Sequence, residues 1–247
     1  ITTRYDKTNL WSALGSTIHE VGHALYEMGL PSESFGTPLG ESISLGIHES
    51  QSRVWENQVG KSYNFWKFMY PKLKKTFPEP FSKIKLKDFY KAINFVKPSL
   101  IRVEADEVTY NLHIIIRFEI ERDLIEGKIK DVNDLPKIWN QKYSDYLGVK
   151  VPSDSQGILQ DVHWSGGSLG YFPTYSLGNL YSAQIYNAAK KSIPSLEEKI
   201  SQGDFKSFRE WLRKNIHIHG KFYRASDLIK NLTGEESVHL TDYPKGD

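Results

Sequence analysis

Two histidines four residues apart, with a glutamate directly after the first, constrain this chain more than any other feature: His19-Glu20-Val21-Gly22-His23. The motif lies in TNLWSALGSTIHEVGHALYEMGLP, where Leu10, Trp11, Leu14, Ile18, Val21, Leu25 and Met28 recur at steps of three or four. That period predicts an amphipathic helix, and Gly29 and Pro31 supply its stop signal. Residues four apart on a helix lie one above the other on the same face. Both imidazoles then point at a single ion, and Glu20, beside them, can take a proton from water that the ion activates. Two capped or exposed histidines on an ordinary helix would carry the same letters, so the remainder of the site has to come from elsewhere in the chain.

A catalytic zinc site takes three protein ligands and leaves a coordination position open. Downstream, ESISLGIHESQSRVWEN offers Glu41, His48 and Glu49 on a second predicted helix. The stretch from Gly29 to Gly40, rich in Gly and Pro, lets that helix fold back antiparallel to the first. Glu49 is the preferred third ligand. Glu41 sits near the helix start, where a carboxylate simply favours the helix dipole, and His48 is the rival on spacing alone.

Composition narrows the alternatives. There is no cysteine, which rules out disulfides and thiolate metal sites, disfavours a closed structural zinc site, and fits a cytoplasmic protein. The 32 basic and 30 acidic residues leave a net charge of +2, which argues against a nucleic-acid partner. No apolar run reaches the roughly eighteen residues that would suggest a membrane span. With 247 residues, 39% of them apolar, one large domain or two small ones can bury a substantial core.

The rest of the chain also reads as helices, with no alternating strand series and no internal repeat, so the expected class is all-α. Helices are predicted in the segment from Lys61 to breaks at Pro78 and Pro80, from Lys87 to Val96, from Asp134 and Pro136 to Gly148, after Thr174, from Phe205, and from a Ser226 cap to Leu232 with Gly234 as stop. The segment PSLIRVEADEVTYNLHIIIRFEIERDLIEGK predicts one long buried helix from Ser99 to Gly127. Buried helices rarely carry Arg102, Glu104, Asp106, Glu107, His113 and Arg117 unless those groups are paired or functional. An exposed ion-pair ladder is the plain alternative. The region from Val151 to Asn179, with five glycines between Gly157 and Gly178, is the least regular, and a loop of that length is more often functional than filler. Lys72, Lys74 and Lys75 read as a solvated face, and His217 and His219, two apart and so divergent on a helix, as surface residues.

Taken in order, HEVGHALYEMGLP, IHESQSRVWEN, IRVEADEVTYNLH, GILQDVHW and YFPTYSLGN resemble the thermostable metallocarboxypeptidase family of the carboxypeptidase Taq type over nearly the whole chain. The resemblance implies a multi-helix gluzincin-type metallopeptidase fold with the HExxH helix lining a cleft. It implies His19, His23 and Glu49 as metal ligands and Glu20 as the catalytic carboxylate. Arg102, in the IRxxAD block, becomes the candidate to grip a peptide's terminal carboxylate, a task suited to the two-pronged guanidinium; Arg117 is the fallback. Glu104 and Asp106 are candidates to orient a ligand histidine from behind. Gly157, Gln160, Asp161, His163 and Trp164 match a GxxQDxHW block. There Asp161 is a candidate for the outer shell, and His163 a substrate contact, an outer-shell group or a plain structural histidine. Tyr175 matches the family's hydrogen-bond donor to the reacting carbonyl.

The implied cofactor is one divalent ion, zinc first, with cobalt and manganese also suited to two imidazoles and a carboxylate. The implied partners are peptide substrates and, in the full-length protein, a second copy in a homodimer. The implied reaction is broad release of C-terminal residues. An oligopeptidase cutting internally and an inactive metal-binding fragment are the alternatives. Ile1 and Thr2 match the tail of the family's D-x-R-I-T motif. The chain is therefore expected to be the C-terminal catalytic half, without the N-terminal half.

Overall fold

In the computed structural model, residues 1–3, 6 and 8–234 are described. They form helices, turns and loops; among them there is no strand, only an isolated bridge between Asp6 and Asn9. The chain divides into two compact units, residues 1–93 with 177–247, and residues 94–176. No helix of the described residues is long and apolar enough to cross a membrane.

The first unit starts with the HExxH helix, α1 (Leu10–Glu27). The Asn9 side chain begins it by accepting from the Ser12 N–H at 3.0 Å, which satisfies one of the free donors at a helix start. Leu10, Trp11, Leu14, Ile18 and Leu25 pack on the core, as their period predicts. Val21 and Met28 depart from that expectation. Val21 borders an open apolar groove with Ile18, Leu25, Trp55 and Phe65, and Met28, where the helix ends, is 80% exposed.

Short 3-10 turns at Ser32–Ser34 and Pro38–Gly40 lead to α2 (Leu45–Arg53), capped by Ser44, whose hydroxyl accepts from the Ile47 N–H at 3.2 Å. The helix therefore begins four residues after Glu41, and its continuation, Val54–Gly60, winds as a π-helix, an irregularity that recurs at functional sites. Pairings of His19 with Glu56, His23 with His48, and the Tyr26 hydroxyl with the Ile43 N–H show that α1 and α2 run antiparallel. Gly22 sets their separation: a Cβ there would lie 2.5 Å from the Gln51 carbonyl oxygen and 2.6 Å from the Ser52 Cα. Only glycine allows the two backbones to approach so closely.

Around this pair lie α3 (Tyr63–Thr76), the single turn α4 (Pro78–Phe81) and α5 (Leu86–Ile93). The core of the unit gathers Tyr26, Ile47, Val54, Trp66, Ile185 and Phe208, each at most 1% exposed. His217 is a correction. It sits on a 3-10 turn rather than a helix, is 1% exposed, and bonds through Nε2 to Gln51 Oε1 at 3.0 Å. His219, on the same turn, is half-buried. The expected divergence of these two histidines presumed a helix that the chain does not form there.

In the second unit, α6 spans Tyr110–Ile125 and α7 Leu135–Leu147. The long helix expected from Ser99 begins only at Tyr110, because Asp106 draws the backbone into a turn. Its carboxylate accepts from the N–H groups of Val108 and Thr109, the Thr109 hydroxyl and the Lys97 N–H, a local bonding pattern that competes with helix. Arg102 thus lies on a 3-10 turn, Arg102–Glu104. The expected stops hold: Gly127 and Gly148 have φ of +69° and +65°. Ile116 and Ile120 of α6 pack against Trp139 and Tyr143 of α7.

The chain stays irregular from Val149 to Tyr171 apart from one 3-10 turn. It resumes helix at α8 (Pro173–Ser192), which belongs to both units, then α9 (Leu196–Ser201), α10 (Lys206–Asn215) and α11 (Ala225–Thr233) in the first. No side chain caps α11, so the Ser226 cap is not formed, whereas Gly234 does end that helix at φ +82°.

Candidate metal centre

The helical spacing of His19 and His23, and the antiparallel return of α2, bring His19, His23 and Glu49 together: one ligand atom from each lies within 4.8 Å of the others. The two Nε2 atoms are 3.2 Å apart, and Glu49 Oε2 is 3.8 Å from that of His19 and 3.6 Å from that of His23. This separation fits one small cation. Two imidazole nitrogens and one carboxylate oxygen are a donor set that zinc and its neighbours accept.

The donor atoms are held from behind by groups the sequence reading did not single out. Glu49 is 6% exposed. Its Oε1 accepts from Arg53 Nε at 2.8 Å, which leaves Oε2 on the histidine side. Arg53 Nη1 also donates to Glu56 Oε2 at 3.0 Å, and the same oxygen lies 2.9 Å from His19 Nδ1. Burial pushes the Glu56 carboxyl upward, but Arg53 and then His19 bring it down to about 2. It is therefore a carboxylate, able to take the Nδ1 proton of His19 and leave Nε2 bare for a metal. Glu49, Arg53 and Glu56, four and three apart, share the face of α2 and its π extension that meets α1; the signal was the charge alternation E-x3-R-x2-E.

His48, the rival ligand, is placed differently. Its Nδ1 is 2.6 Å from His23 Nδ1 and its Nε2 is 2.8 Å from Glu27 Oε1. Burial, followed by His19 and His48, lowers the pKa of His23 to about 3, so this ring is neutral, as a metal ligand must be. Gly178 gives Glu49 its room: a Cβ there would lie 2.4 Å from Glu49 Cγ. Glu20 is half-buried and makes no hydrogen bond or ion pair with a described residue.

The remaining predicted residues belong to the second unit and form their own cluster. Asp161 is gripped by two arginines. Oδ1 accepts from Arg102 Nε and Nη2 at 3.0 and 2.7 Å, and Oδ2 from Arg117 Nε at 2.7 Å. Arg102 Nη1 donates to the Tyr110 hydroxyl at 2.8 Å, so three of its five N–H donors are used within the unit. Burial raises the Asp161 carboxyl, but the two arginines hold it below the usual carboxylate range.

Arg117 is wholly buried, and its Nη1 also donates to the His113 carbonyl. It holds Asp161 at Oδ2. Within the second unit Asp161 holds the two arginines and Asp106 shapes its own loop; within the first, Glu56 and His48 lie against His19 and His23. Glu104 is exposed and without a partner among the described residues. His163 Nε2 is 3.0 Å from the Tyr175 hydroxyl, and burial, with Arg102 next, lowers its pKa. The IRxxAD and GxxQDxHW blocks thus meet each other, the Arg102 N–H also donating to Gln160 Oε1 at 2.9 Å.

A helix bearing two histidines one turn apart and an adjacent glutamate, with a second carboxylate brought in by the next helix, has the HExxH pattern found in metal-dependent hydrolases. Comparison with known proteins narrows the class. Residues 1–243 match the family described as carboxypeptidase Taq (M32) metallopeptidase, and the chain belongs to that family. It is 49% identical over 235 residues to Thermostable carboxypeptidase 1 of Thermus thermophilus, covering 95% of this chain and 46% of that protein. It is 48% identical to Carboxypeptidase 1 of Bacillus subtilis, covering 98% and 49%. Among solved structures, a carboxypeptidase of the same family from Deinococcus radiodurans superposes with a TM-score of 0.93 at 46% identity, covering 99% of this chain and 48% of that one. Metallocarboxypeptidase 1 of Trypanosoma cruzi superposes at 0.90 with 37% identity, covering 98% and 50%. The chain spans about half the length of the curated relatives it matches.

Proposed function

We propose that this chain carries the catalytic centre of a metallocarboxypeptidase that releases C-terminal residues from peptides with broad side-chain preference. The observation behind the reading is the convergence of His19 Nε2, His23 Nε2 and Glu49 Oε2, with Glu20 next to them and unpaired. Zinc held by those atoms, or cobalt or manganese in its place, supplies the Lewis acidity that makes water a nucleophile near neutral pH. Glu20 takes the proton of the attacking water at its carboxylate and returns it to the amine nitrogen that departs. Arg53 keeps Oε1 of Glu49 occupied, so the ligand oxygen does not rotate away.

Two roles come from the family resemblance. Tyr175 donates a hydrogen bond from its hydroxyl to the reacting carbonyl oxygen. Arg102 pairs with the terminal carboxylate, which makes end-release rather than internal cleavage the outcome. The resemblance also supports a homodimer and an HExxH helix that lines a cleft, and the absence of cysteine supports a cytoplasmic setting.

The test is Glu20→Gln. Zinc stays bound and chelator-sensitive hydrolysis of a free-acid peptide collapses; retained turnover removes Glu20 from the mechanism. Equal cleavage of the free acid and its C-terminal amide would favour internal cleavage, and zinc binding by the 247-residue chain with no hydrolysis would make it a metal-binding module.

A further inference from the structure

We propose that His48 and Glu27 form an outer relay that fixes the tautomer of His23 and so keeps its Nε2 lone pair facing the cation. The inference rests on the metal centre proposed above and deepens it: His48 becomes a positioning residue, neither a ligand nor a catalytic group.

The proton placement follows from counting donors and acceptors. Glu27 presents carboxylate oxygens to the His48 ring, and a carboxylate oxygen accepts. The 2.8 Å contact with His48 Nε2 therefore needs the His48 hydrogen on Nε2. A neutral imidazole carries one ring hydrogen, so His48 Nδ1 is bare and can only accept. The 2.6 Å contact between the two Nδ1 atoms then needs the hydrogen on His23. That leaves His23 Nε2 bare, and this is the atom 3.2 Å from His19 Nε2 and 3.6 Å from Glu49 Oε2.

Reversing any link destroys the pattern. With its hydrogen on Nδ1, His48 would point a bare Nε2 at a carboxylate, and His23 would have to carry its hydrogen on the metal-facing nitrogen. Both ring nitrogens of His48 are occupied by this chain, so neither is left to coordinate. The ring is also held in place, with the Tyr26 ring 5.3 Å away at 62° and the His23 ring at 4.6 Å.

The two ligand histidines thus meet one chemical requirement in two ways. His19 has a carboxylate directly behind it, Glu56 at 2.9 Å. His23 has its carboxylate one ring further out, on the next turn of its own helix. Sequence spacing makes this geometry available: Glu27 follows His23 by four positions, and His48 directly precedes the ligand Glu49. The helix that delivers the third ligand therefore delivers the relay as well.

The experiment measures zinc affinity of the 247-residue chain by competition with a chromophoric chelator. Alongside it, the cobalt(II) form is examined by NMR for the shifted, water-exchangeable ring N–H protons of the ligand histidines. The wild type should show one such resonance for each of His19 and His23. His48→Phe, which keeps a ring but removes the acceptor, should weaken zinc binding about 10- to 100-fold and broaden or shift the His23 resonance alone. His48→Gln, whose amide oxygen accepts from Nδ1, should recover part of that loss. Glu27→Gln, at an exposed position where a folding defect is not at issue, should weaken zinc binding severalfold, since a neutral oxygen accepts less strongly than a charged one. Glu56→Gln should perturb the His19 resonance instead.

Wild-type affinity with both resonances unchanged in His48→Phe and Glu27→Gln would overturn the relay. A changed cobalt coordination number in His48→Phe would make His48 a ligand and overturn it too. Failure of the wild type to bind zinc would instead strike the metal centre itself.

Discussion

Substituting Gly22 by alanine tests whether the close approach of two backbones positions the third ligand. The new Cβ would lie 2.5 Å from the Gln51 carbonyl oxygen and 2.6 Å from the Ser52 Cα. Both are backbone atoms, so no side-chain rotation relieves the overlap. Restoring an ordinary contact of 3.4 Å requires α2 to retreat from α1 by about 0.9 Å. Overpacking of this kind costs about 1–3 kcal/mol of stability. Glu49 lies two residues before Gln51 on the same helix and retreats with it, away from His19 and His23. Metal–ligand distances tolerate only about 0.2 Å, so zinc affinity should fall by on the order of a hundredfold.

The assay pairs a urea melt of the metal-free protein with a chelator-competition titration of the folded protein. Gly178→Ala is the companion, because its Cβ would meet Glu49 Cγ at 2.4 Å and press on the ligand side chain itself. If Gly22→Ala binds zinc as tightly as the wild type, the helix spacing does not set the ligand geometry and the reasoning fails.

Two further outcomes follow from buried charge. Asp161→Asn removes the carboxylate that pairs with both Arg102 and Arg117 in a buried site; it should destabilise the second unit by about 3–5 kcal/mol in a denaturant melt, and a loss under about 1 kcal/mol would show that the arginines find other partners. His217, whose pKa burial and then Arg213 lower from 6.5 to about 4, is held neutral in the folded state. The unfolded chain takes up its proton first, so stability is full above pH 6.5 and falls as the pH drops toward 4, by about 3 kcal/mol. Stability melts across that range, compared with those of His217→Gln, should show the slope shrink in the variant; equal slopes would mean that His217 is not the group responsible.

Much of this arrangement is legible in the amino-acid sequence. Helical periodicity is a local property, and the class, most stop signals and the pairing of His19 with His23 follow from residues within a few positions of one another. The approach of Glu49 to that pair is legible because a loop rich in glycine and proline joins only two neighbouring helices. Structure departs from local pattern where local signals compete. Asp106 offered the backbone a turn where apolar periodicity suggested a helix from Ser99. Apolar periodicity carries the helix from Phe205 over His217, but the helix ends at Asn215.

What only the tertiary structure decided is which group stands behind which. The rank of a carboxylate or an imidazole around a site depends on side-chain direction across two packed helices, and no spacing rule within one helix specifies it. On the sequence alone His48 is a rival ligand, Glu104 and Asp106 are candidates to orient a ligand histidine, and Asp161 is a candidate for the outer shell. In three dimensions Glu56 and His48 stand behind the ligand histidines, and Asp161 neutralises two arginines. The helices themselves were determined within the sequence; the separation that Gly22 permits, and the hydrogen bonds that separation allows, exist only once they pack.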